Sequence, residues 1–236
     1  MSDHIPLSPL AFARADEYVF TKILAPAEPF VRSLGAPVMV TDSSAVRIHT
    51  GKFRWMGNID LLVLHDSPSA VLEMMRGHFS NIIIGSRGGF FRAAFELPID
   101  ATNIAAGMCF LIEVHVNAIF HQNQPTSVVA REDFDLVEWK QVPSFCGHFS
   151  CRLPVPTLRT ILGLKASKDI GNDLLDVFTL VAFAEILPEW LGEDFLGPAV
   201  KAIADSLDRI CRLYTMHYHE DSALARERFL AVTGQL

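Results

Sequence analysis

No stretch of this 236-residue chain approaches the roughly 20 consecutive apolar residues that a membrane-spanning helix needs. Met1 to Pro6 lack a basic region followed by an apolar run, so no secretory signal is expected. Cationic residues are also scarce. The 20 Lys and Arg stand against 27 Asp and Glu, a net charge of −7, which argues against a nucleic-acid surface spread over these residues because phosphate recognition needs clustered cations. Only four cysteines occur, Cys109, Cys146, Cys151 and Cys211, and their spacing matches no zinc or redox motif. Reduced thiols in a cytoplasmic protein are the expectation.

Catalytic signatures are missing too. There is no Gly-x-Ser-x-Gly and no P-loop, and Gly85-Ser-Arg-Gly-Gly89 lacks Gly-x-Gly-x-x-Gly spacing and reads as a flexible turn. Cys146-Gly-His148 puts a thiol near an imidazole with no third member, so a structural cysteine is the plainer reading. Nine histidines include His49, His65, His115, His121 and His148 in or beside β-prone segments. A metal cupin would carry His-x-His with a nearby Glu on those strands. The only His-x-His is His217-Tyr-His219, at the end of a helical segment where residues two apart diverge by about 200°. These absences predict no enzyme, no native metal site and no cofactor.

Half of the residues are hydrophobic, so a packed globular fold is expected. The best patterned stretch is Cys109–Trp139. Phe110, Ile112, Val114, Val116, Ala118 and Phe120 alternate with Glu113, His115 and Asn117, a period of two that predicts a strand with one apolar face. The polar cluster at 121–126 turns the chain into a second β-prone run at Ser127–Ala130, and Phe134–Trp139 follows as a third.

Residues 1–36, with prolines at 6, 9, 26 and 29 around a short helix at Ala11–Leu24, read as an N-terminal arm. Strands are expected at Val38–Thr41, Ala45–Thr50, Ile59–His65, Asn81–Ile84, Phe90–Leu97 and Phe145–Leu153, with a short helix begun by Ser67 and Pro68. Pro154-Val-Pro156 marks a border, so 37–156 forms a β-domain and 157–236 a helical region. There, Leu174–Leu187 is apolar on most sides until Pro188 stops it. Leu196, Val200, Ile203, Leu207, Ile210 and Tyr214 recur at heptad spacings, a seam for one partner helix either in the same chain or in a second copy. Ser222–Val232 reads as a last helix ended by Gly234.

The order of FLIEVHVNAIFHQNQPTSVVAREDFDLVEW, then FSCRLPVPTLRTILG, then two helices resembles the effector-binding region of AraC/XylS-type transcription regulators, best over 109–215. It departs from that pattern at Phe134-Asp135, where members commonly carry Gly-Asp. The resemblance implies an α+β fold: a cupin-like antiparallel β-barrel or sandwich followed by a helical dimerisation region. It implies a small-molecule effector and a homodimer, with DNA bound only through a helix-turn-helix part that does not follow Leu236. Ala225–Val232 resembles the lead-in to such a part.

On that reading Val200, Ile203, Leu207, Ile210 and Tyr214 make the dimer contact, while Trp55, His65, Phe110, Ile112, Val114, His115, Phe120 and Trp139 are candidate ligand-binding residues. The wall of the pocket is either the apolar face of the central strand or its polar face, Glu113, His115 and Asn117. A solvated outer face remains the plainer assignment for the polar one. A cupin-like metalloenzyme and a non-catalytic interaction scaffold remain the alternatives.

Overall fold

The computed structural model describes residues 17, 20–21, 25–52, 58–85, 89–96, 109–121, 124–128, 131–144, 147–167, 171–218 and 220–234. The fold is α+β. Its chain divides into two compact units, one of residues 1–41 with 56–156 and one of residues 42–55 with 157–236. Most of the expected helix at Ala11–Leu24, Trp55 and Cys146 lie outside the described residues.

The first unit is built on a five-stranded sheet: β1 (Val38–Thr41), β2 (Asn58–Val63), β3 (Ile82–Ile84), β4 (Phe90–Glu96) and β5 (Cys109–Val116), in the order β1-β2-β5-β4-β3. Three of its four pairings are antiparallel, but β2 and β5 run parallel. This is an open mixed sheet, whereas the family resemblance implies a cupin-like antiparallel barrel or sandwich. Closure requires the edge strands to bond each other, and among the described residues β1 pairs only with β2 and β3 only with β4.

Ile112 and Val114 of β5 are fully buried, with Ile59 and Ala93 beside the first and Leu61 and Phe91 beside the second. That layer is the core of the sheet. The third strand is different in kind: Asn81–Ile84 was expected as a buried strand, but Ile83 and Ile84 are each 52% exposed on the edge.

A helix α1 (Ala25–Ser33) precedes the sheet. Proline and serine then set one further boundary as the sequence predicts. In the helix that follows β2, α3 (Pro68–His78), Ser67 is the N-cap, its hydroxyl accepting from the Ala70 N–H at 3.3 Å, with proline in the first turn. The continuous strand expected from Phe110 to Phe120 is instead broken at Asn117, whose φ of 62° turns the chain. Beyond it, β6 (Ala118–His121) pairs with β7 (Gln124–Val128) as a separate hairpin. A short helix α4 (Arg131–Asp135) takes in the first two residues of the next expected strand, and β8 (Glu138–Pro143) pairs with β9 (Ser150–Val155). The α1 residue Glu28 accepts the Arg152 N–H of β9 at 2.7 Å, a bond that holds its carboxyl below the usual range.

The second unit contains α2 (Asp42–Thr50), α5 (Leu158–Ala166), α6 (Gly171–Phe183), α7 (Gly197–Asp205), α8 (Leu207–Tyr218) and α9 (Ala223–Thr233). A segment expected as a strand, Ala45–Thr50, is part of α2. The Asp-Ser-Ser that reads as a turn is its first turn, entered through Asp42 at φ 56°.

Every other helix of this unit packs on α6, whose Leu175, Val177, Phe178, Leu180 and Val181 are fully buried. Phe178 meets Tyr214 and Phe229 edge-on or tilted at 5.9 and 5.3 Å between ring centroids. The heptad seam is split in two at Ser206, whose hydroxyl bonds back to the Ala202 carbonyl at 2.7 Å and competes with the helix ladder. Val200, Ile203, Ile210 and Tyr214 are buried within the chain and Leu207 is half-buried, so of the two partners open to this seam the structure supplies the one in the same chain, α6, and not the dimer contact that the family resemblance implies. At the far end Gly234 closes α9 in the left-handed region at φ 68°.

One buried cation ties three helices of this unit. Lys165 on α5, 2% exposed, pairs with Asp173 and Asp176 of α6 at 2.7 Å each and with Asp42 at the start of α2. Burial alone would push the ammonium down, but the three aspartates together hold it well above the usual lysine range. Removing one member of such a knot leaves buried charge uncompensated. Lys165→Met should therefore cost about 3–5 kcal/mol in urea unfolding, whereas Lys201→Ala, which breaks the exposed Lys201–Asp205 pair, should cost under about 0.5 kcal/mol. Equal effects would show that the knot carries no special weight.

Candidate metal centre

Strand register determines which polar groups meet. Thr41 of β1 is paired with Asp60 of β2, Asp60 with Glu113 of β5, and Glu113 with Arg92 of β4. Directly paired residues project to the same side of a sheet. Four adjacent strands therefore carry one polar row, Thr41-Asp60-Glu113-Arg92, on the face opposite Ile112 and Val114. His115, two residues beyond Glu113, lies on the same face and is 3% exposed.

The contacts are close. Asp60 accepts from Asn58 Nδ2 at 2.6 Å and lies 3.3 Å from His115 Nε2. The His115 ring stacks on Phe90 at 4.8 Å between centroids, which fixes its plane. Glu113 pairs with Arg92 at 2.8 Å and comes within 4.0 Å of His115. Burial and the neighbouring Asp60 carboxylate push Glu113 up to about 7, against the pull of Arg92. Two carboxylates forced together share a deficit of positive charge.

Asp60, Glu113 and His115 each offer a ligand atom within 4.8 Å of the others. Oxygen-rich sets of this kind suit magnesium or manganese, and the imidazole adds zinc or iron to the range. A second set, Asp42, Asp173 and Asp176, has comparable spacing but already encloses the Lys165 ammonium. The first set is the better fit for a divalent cation, because its two carboxylates are paired across the ladder and enclose no ammonium, with the Arg92 guanidinium beside Glu113.

The candidate residues named from sequence scatter. Of the ligand-binding group, His115 joins the polar row, while Ile112 and Val114 lie on the opposite, core-facing side. Phe110 and Phe120 belong to β5 and β6, their side chains outside the described residues, as is all of Trp55. His65 is a structural clasp. Its backbone N–H and carbonyl bond the Asn117 amide at 2.9 and 2.8 Å, and its Nδ1 accepts from the Ser67 N–H. Trp139, on the separate β8–β9 pair, lies beneath the Arg32 guanidinium at 4.4 Å.

Sequence reading placed no metal centre here and passed over Asp60 and Arg92. A carboxylate inside the otherwise apolar strand Asn-Ile-Asp-Leu-Leu-Val was the available signal, since buried Asp is rare without a partner.

An open mixed sheet carrying a closely spaced carboxylate pair and an imidazole on one face defines a class: an α+β protein with a polar row whose side chains could hold a cation. No family model and no curated protein matches the sequence. Solved structures do. The chain is similar to JHP933 from Helicobacter pylori, with a TM-score of 0.50 and 12% identity over 98% of this chain and 91% of that one. It is also similar to a candidate nucleotidyltransferase from H. pylori, with a TM-score of 0.51 and 14% identity over 97% and 94%. At these identities the likeness establishes the fold alone. The expectation of a regulator's small-molecule-sensing domain is overturned, because the whole chain follows the fold of these two structures, built on an open mixed sheet, and not a cupin-like barrel.

The pH dependence of stability tests the crowding of the row. Glu113 titrates at about 7 in the folded protein against an ordinary 4.5, so the folded state holds a proton that the unfolded chain releases. Its contribution should be greatest below about 4.5, fall as pH rises to about 7 and then level off. Urea titrations at pH 5 and 7.5 should show Glu113→Gln gaining stability relative to the parent at the higher pH. No change in that difference between the two pH values would contradict the assignment.

Proposed function

We propose that the chain is a nucleotidyltransferase dependent on a divalent cation held by Asp60 and Glu113. The observation that carries this reading is the direct pairing of the two carboxylates across the parallel β2–β5 ladder. The similarity in fold to a candidate nucleotidyltransferase supports it.

Nucleotidyl transfer forms a bond between an acceptor oxygen and the α-phosphorus of a nucleoside triphosphate and breaks the α,β-bridging P–O bond, releasing pyrophosphate. The acceptor's proton leaves to solvent. A divalent cation between the carboxylates would neutralise phosphate oxygens and align the acceptor with the leaving group. The chain's own residues prepare that place. Asn58 and His115 hold the Asp60 carboxylate from two sides, as outer partners of a cation ligand do. Phe90 backs the imidazole.

Incubation with each of the four ribonucleoside triphosphates labelled at the α-phosphate, with Mg²⁺ or Mn²⁺, should release pyrophosphate and label an acceptor. Asp60→Asn and Glu113→Gln should lower that rate by more than the ~10–100-fold typical of an outer partner, and His115→Gln by about that range. Transfer that survives both carboxylate substitutions, or no transfer with any nucleotide, would contradict the reading.

A further inference from the structure

We infer that Arg92 is the residue that grips the triphosphate of the nucleotide, exchanging Glu113 for phosphate when the site is loaded. The inference rests on the nucleotidyl-transfer reading and assigns it a substrate contact.

Arg92 stands at the end of the polar row, paired in register with Glu113 on one side and with Ile83 on the other. Ile83 offers no anion, so Glu113 is the one carboxylate that Arg92 meets among the described residues. Their contact is close but poorly directed. Arg92 Nε lies 2.8 Å from Glu113 Oε1 and is buried, yet it makes no hydrogen bond, its N–H being aimed off the oxygen. The pair is held by charge and not by fork geometry. Meanwhile the side chain is 41% exposed, with its guanidinium over the Phe90 ring at 4.7 Å. A planar cation resting on an aromatic face and open to solvent is suited to a bidentate anion.

Charge balance then decides the direction of exchange. A divalent cation held by Asp60 and Glu113 would supply the positive charge that Arg92 now gives Glu113, and would repel the guanidinium. Arg92 would then lose its counter-ion while remaining tethered by β4 beside the row. A phosphate reaching the same cation presents oxygens in the spacing a guanidinium fork takes up, and such charge-assisted pairs are among the stronger hydrogen bonds.

Binding of ATP, GTP, CTP and UTP, each in the presence of Mn²⁺, should be measured by calorimetry on the full chain, with Mn²⁺ binding followed separately by electron paramagnetic resonance. The parent should bind Mn²⁺ and at least one triphosphate. Arg92→Gln should weaken the triphosphate about tenfold or more, and Arg92→Lys, which keeps the charge but loses the fork, by a smaller factor. Neither should weaken Mn²⁺, since each leaves both carboxylates in place. Unchanged triphosphate affinity in Arg92→Gln would overturn the inference alone. So would a loss of Mn²⁺ affinity in both variants, which would make Arg92 a support for Glu113. A parent that binds Mn²⁺ but none of the four triphosphates sinks the nucleotidyl-transfer reading and this assignment with it.

Discussion

The polar row depends on one register: Asp60 of β2 directly opposite Glu113 of β5 in a parallel ladder. A parallel pairing cannot be made by a tight turn and needs intervening structure. Here that structure is α3, β3 and β4, and β4 returns to lie on the other side of β5. The detour thus delivers Arg92 to the same row as the carboxylates. A slip of one residue would turn Glu113 into the Ile112–Val114 core layer and place an apolar side chain beside Asp60. The buried apolar face therefore fixes the site, since register is enforced by Ile59, Leu61, Ile112 and Val114 on the opposite side.

Each unit contains buried aspartate, and the two handle it differently. Around Lys165 the protein supplies its own cation, fully enclosed and in contact with all three carboxylates. That arrangement joins α2, α5 and α6. Along β2 and β5 the compensation is partial. Glu113 is pushed up to about 7, the Arg92 pairing is off-axis, and His115 serves Asp60 from 3.3 Å. Buried polar groups normally find well-formed partners.

Much of the fold was legible where local chemistry decides it. Ser67 and Pro68 announce α3, Gly234 ends α9, and the period-two pattern after Cys109 marks β5. Errors arose where tertiary context decides. Ala45–Thr50 reads as a strand because its apolar residues are few and closely spaced, yet Ala45 and Val46 are buried on a helix in the second unit. Asn117 and Ser206 each break an otherwise continuous pattern, the first through a left-handed backbone and the second through a hydroxyl bonded to its own helix. Neither break alters the hydrophobic spacing that pattern reading relies on. The site was half visible. Glu113 and His115 share a strand face in any sequence reading, but Asp60 and Arg92 lie 53 and 21 positions upstream of Glu113 and join them only through strand order.

The most direct test of the cation site is anomalous diffraction from crystals of the protein soaked in Mn²⁺. A manganese peak coordinated by Asp60 and Glu113, with Arg92 turned away from Glu113, is the expected result. Absence of a peak there, or a peak among Asp42, Asp173 and Asp176 with Lys165 displaced, would contradict the account.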